Sequence, residues 1–91
     1  MKIPTKLKVG GHIVTIDCSK ELKDCNGDWN SGLNRIRICK TLPQSQKEVT
    51  LIHELLHALN SELTEFTMGH VALESLAQQI YQVLSDNKLL K

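Results

Sequence analysis

Aromatic side chains are nearly missing from this 91-residue chain, which holds one Trp, one Tyr and one Phe. Arginine is scarce as well, with two, and Lys plus Arg outnumber Asp plus Glu only by 11 to 10. Base stacking and phosphate forks need such residues on a basic face, so no nucleic-acid partner is expected. No apolar run approaches the roughly 18–20 residues that cross a bilayer, so no membrane partner is expected either. Met1–Lys8 carries charge without an apolar stretch, which argues against a secretion signal. The three cysteines, Cys18, Cys25 and Cys39, are odd in number and widely spaced. They match neither a disulfide framework nor the close pairs of a zinc module, so three thiols with His12 as a zinc set is the weaker reading. Ordinary thiols in a reducing cytoplasm, with His12 structural, is the stronger one.

Internal repeats, low-complexity stretches and linkers are missing too. The length leaves room for one core, and 41% hydrophobic residues suffice to build it, so residues 1–91 read as a single domain. Lys6 to Val9 alternates charged and apolar residues, Gly10-Gly11 supplies a hairpin turn, and Ile13 to Asp17 alternates again. Ser19 to Ser31 is dense in Asp, Asn, Gly and Ser and reads as a loop. Arg35 to Cys39 then alternates cleanly with one charged face, which predicts a third strand near a sheet edge.

The second half changes period. Pro43 precedes Ser45-Gln46-Lys47-Glu48, which has capping-box spacing. Val49, Ile52, Leu55, Leu56, Leu59 and Leu63 then recur at three- and four-residue steps and predict an amphipathic helix. Thr64 to Gly69 breaks the pattern. A second helix follows from about Val71 to Leu84, ended by Asp86-Asn87, with Lys88–Lys91 as a tail. Strands followed by helices predict an α+β fold: a small three-stranded, mostly antiparallel sheet with two main helices packed on one side.

Within the first helix lies His53-Glu54-Leu55-Leu56-His57. A four-residue step puts both imidazoles on one helical face, close enough to share a metal ion. Glu54 points to a neighbouring sector, where it can take a proton from a water that the ion polarises. Both histidines fall on the shoulder of the leucine stripe, at the border between core and solvent. The plain alternative is an exposed helix whose histidines cap the core edge. Two histidines call for a third protein ligand, and the second helix offers Glu74, His70 and, less well, Glu65 just before it. Glu74 falls on the shoulder of its helix and is the favoured candidate. His70 is alternatively an outer hydrogen-bond partner, an oxyanion donor or a residue without a role. Tyr81 reads as a core-edge aromatic whose hydroxyl reaches water, with transition-state donation as the lesser option.

His53-Glu54-x-x-His57 followed by Glu74-Ser75-Leu76-Ala77 resembles the gluzincin pattern, in which two helix histidines and a downstream helix glutamate bind zinc. The Glu-x-x-Ala spacing is similar to that of ImmA/IrrE-like and other minimal metallopeptidases. Over nearly its full length the chain also resembles small phage and prophage metallopeptidases, from Lys2-Ile3-Pro4 through Ile36-x-Ile38 to Tyr81-Gln82-Val83-Leu84-x-Asp86-Asn87. The resemblance implies one Zn2+ on His53, His57 and Glu74, with Glu54 as general base and a peptide or protein as substrate. It implies a cytoplasmic setting, the host's if the chain is phage-encoded. It also implies that an extended peptide adds to a strand edge above the active-site helix, for which Arg35–Cys39 is the matching segment. Larger peptidases build specificity pockets from a second subdomain, which this chain lacks. The competing expectation is therefore a zinc-binding interaction module without efficient proteolysis. Glu54 separates the two, because a purely structural zinc site has no use for it.

Overall fold

The computed structural model describes residues 2–9, 12–61 and 69–86. Four strands, β1 (Lys6–Val9), β2 (His12–Asp17), β3 (Gly27–Asn30) and β4 (Arg35–Ile38), precede two helices, α1 (Gln44–Ser61) and α2 (His70–Asp86). The α+β expectation therefore holds, but the sheet differs from the expected one. It has four strands in the order β1-β2-β4-β3. The outer pairs β1/β2 and β3/β4 are antiparallel, while the central pair β2/β4 is parallel.

Period-two alternation builds the inner face. Val14, Ile16, Ile36 and Ile38 are buried and form one cluster with Leu51 of α1. Their neighbours Thr15, Arg35 and Arg37 point to the other face, as a pleated strand requires. Val9 pairs with His12, leaving two residues between the strands. The Gly10-Gly11 turn itself lies outside the described residues, as do Glu65, the rest of the expected break before Gly69 and the Lys88–Lys91 tail.

β3 was expected to be loop. Its residues are turn formers, yet each finds a partner on β4: Gly27 faces Ile38, Asp28 faces Arg37 and Trp29 faces Ile36. Strand preference depends on cross-strand packing more than on intrinsic tendency, and here the partners decide it. The Asp28 carboxylate takes a forked hydrogen bond from the Arg37 guanidinium. Asn34, at φ 47°, closes the turn back to β4 in a left-handed conformation that Asn tolerates. This insertion moves the edge. β4 lies inside the sheet, and β3 is the outer strand.

α1 crosses β3 and β4, and α2 packs mainly on α1. Leu73 and Ala77 of α2 and Val49, Leu51 and Ala58 of α1 are buried. Glu48 does not sit open in a capping box. It is buried and accepts hydrogen bonds from Gln44 and, across the helix pair, from the Tyr81 hydroxyl. Neither described helix is long and apolar enough to cross a membrane.

Candidate metal centre

His53 and His57 lie one turn apart on α1, and their Nε2 atoms are 3.1 Å from each other. One ring can donate to the other at that distance. It is also near the ~3.3–3.4 Å separating two nitrogens that each stand ~2.0–2.1 Å from one tetrahedral zinc. His70, the first residue of α2, brings a third ring. Its centroid is 5.2 Å from that of His57, nearly parallel to it, and 5.7 Å from that of His53. One ligand atom from each of the three rings lies within 4.8 Å of the others, the one such cluster among the described residues. Burial lowers the pKa of His53, and neighbouring His70 adds to this while Glu74 opposes it. Burial likewise lowers His57, followed by the charges of His53 and His70. Both rings are therefore neutral near pH 7, the state in which imidazole binds a metal. The donor chemistry fits a divalent ion such as zinc.

Glu54 is 8% exposed. Burial foremost, and then the charge of Asp28, pushes its pKa up to about 7. Its Oε2 stands 3.9 Å from His53 Nε2, beyond direct bonding but within reach through one water. A carboxyl poised near neutrality can hold or release a proton at little cost.

The rings open into a cleft of about 370 Å³ walled by Gly27, Asp28 and Trp29 of β3 on one side and His53, Glu54, His57 and His70 on the other. Turn-forming residues conceal the β3 wall in the sequence. A tryptophan among turn residues was the available signal, since Trp seldom sits in a free loop. Gly27 permits the close approach. A Cβ there would lie 2.5 Å from the Arg37 carbonyl oxygen and 2.6 Å from Thr50 Cγ2.

Glu74 is exposed, one turn beyond His70, and stands outside the three-ring cluster, although its charge reaches His53. Tyr81 lies eleven residues past His70, ~16 Å along the helix, and its hydroxyl donates to Glu48. His12 is exposed on β2. All three cysteines are free thiols. Cys39 is buried, its sulfur taking a hydrogen bond from Leu22 N–H and lying 3.2 Å from Thr41 Oγ1. They form no metal cluster with His12 among the described residues. No protein-family model, curated protein or solved structure matches the chain.

Proposed function

We propose that this chain is a small zinc-dependent peptidase in which His53, His57 and one donor from α2 hold the ion and Glu54 is the general base. The observation that carries this reading is one juxtaposition: two imidazole nitrogens 3.1 Å apart at a cleft, with a buried carboxylate oxygen 3.9 Å from one of them. When bound, the ion polarises water and the scissile carbonyl. Glu54 takes the proton of the attacking water at Oε2, the oxygen nearest His53, and passes it to the leaving amine nitrogen. β3 replaces Arg35–Cys39 as the strand that receives an extended peptide. It is the sheet edge that walls the cleft, and its outer side pairs with no other described strand. Three free thiols suit a reducing compartment, so the cytoplasm, in a phage-infected or lysogenic host, is the setting we assign.

The test is cleavage of a peptide library by the zinc-loaded protein and by Glu54→Gln. The substitution should keep the metal and lower cleavage by about 10²–10⁴-fold. Equal cleavage by both proteins rejects the role of Glu54. Stable zinc binding by a wild type that cleaves nothing favours the interaction-module reading.

A further inference from the structure

The α1–α2 pairing decides between the two α2 donors. The helices run antiparallel, since Tyr81 meets Glu48 at one end and His70 meets His57 at the other. His70 thus reaches the histidine pair directly. Glu74, one turn on, falls opposite His53, where its charge is felt while its carboxylate stays exposed and outside the cluster of ligand atoms.

We infer that the ion is held by three neutral imidazoles, those of His53, His57 and His70, and that Glu74 is an outer carboxylate and not a ligand. This rests on the metal reading above but departs from the gluzincin pattern, which assigns the third position to the glutamate. The difference has chemical weight. Three neutral donors leave the centre with the full double charge of the ion, whereas a ligating carboxylate would remove one unit. Asp28 and Glu54 of the cleft and Glu74, whose charge reaches His53, are then the carboxylates that compensate it, which gives an exposed glutamate beside His53 a purpose without coordination. A tri-imidazole set also leaves a fourth position open.

The full-length protein, stripped of metal and titrated with zinc alone, tests this without any activity assay. Side-chain nitrogen resonances of His53, His57 and His70 should all move on zinc binding, with His12 as the unmoved control. His70→Asn should weaken zinc by more than about 100-fold, beyond what loss of an outer partner costs, while Glu74→Gln stays within the about 10–100-fold of such a partner. His70 is exposed at the first position of its helix, and a circular dichroism spectrum checks that the variant folds. Zinc bound with His70 unmoved, or lost in Glu74→Gln as fully as in His70→Asn, overturns the tri-histidine assignment and leaves the metal centre standing. A wild type that takes up no zinc overturns both.

Discussion

Tyr81 of α2 donates a 2.9 Å hydrogen bond to Oε1 of Glu48 on α1, and this bond ties the two helices at the end away from the histidines. Burial alone would push Glu48 up, but hydrogen bonds, those from Gln44 and Tyr81 among them, outweigh it and hold its pKa below the ordinary value. A buried carboxylate is tolerable in this place because it is so bonded.

Removing the hydroxyl should therefore destabilise the fold. Tyr81→Phe is expected to cost about 1.5 kcal/mol at neutral pH, the low end for a bond to a charged group, by urea unfolding. A depressed carboxylate contributes stability that is present above its unfolded value and lost as pH falls through its folded one. The gap between variant and wild type should accordingly narrow in acid. A constant gap down to the acid transition would mean the bond does not depend on Glu48 being ionised.

Glu54 has the opposite sign. Its folded pKa is raised from 4.5 to about 7, so the metal-free native state keeps a proton that the unfolded chain has released. Stability should then fall as pH rises from about 4.5 to 7, by at most roughly 3 kcal/mol. Glu54→Gln removes this loss. Unfolding curves of both proteins in chelator at pH 5 and pH 8 should show the variant gaining on wild type at the higher pH. Parallel pH dependence would mean that Glu54 ionises normally.

Asp28 connects the edge strand to the base. Its hydrogen bond from Arg37 holds its pKa below the usual carboxylate range, so it remains charged through the neutral range, and that charge helps raise Glu54. Asp28→Asn should move the acidic limb of kcat/KM to lower pH. Its effect on stability should be under about 1 kcal/mol, since the ion pair is partly exposed. An unmoved limb would separate Asp28 from the base.

Gly27 sets the distance between β3 and α1. Gly27→Ala drives a methyl into a backbone oxygen that cannot withdraw and into the Thr50 methyl group. A loss of about 1–3 kcal/mol is expected, with β3 displaced from the cleft. Thr50→Ser in the same chain should recover part of it, because one of the two contacts disappears. The single tryptophan, Trp29, lies next but one on this wall, and its fluorescence should report the displacement. An unshifted emission and full stability would show that the strand has room to spare.

The helices were legible in the sequence because their apolar residues recur at the helical period, and that period alone puts His53 and His57 on one face. The β1/β2 hairpin followed from alternation on either side of Gly10-Gly11, and the charged face of Arg35 to Cys39 left Ile36 and Ile38 for the buried side. β3 was not legible. Gly27, Asp28 and Asn30 look like a turn, and only pairing to β4 makes them a strand. The parallel β2/β4 contact was hidden for the same reason, because no local pattern records which strand lies beside which.

The site divides along the same line. A four-residue spacing on one helix determines the histidine pair and the neighbouring acid, since helical geometry depends only on adjacent residues. Whether His70 or Glu74 approaches that pair depends on how far α2 slides along α1, which helical period does not encode. The half-buried bond between Tyr81 and Glu48, 33 residues apart, and the packing of Leu73 and Ala77 set that register. The tertiary structure thus brought His70 to the cluster, left Glu74 at its margin and raised Glu54 by burying it, all through contacts between residues distant in the chain.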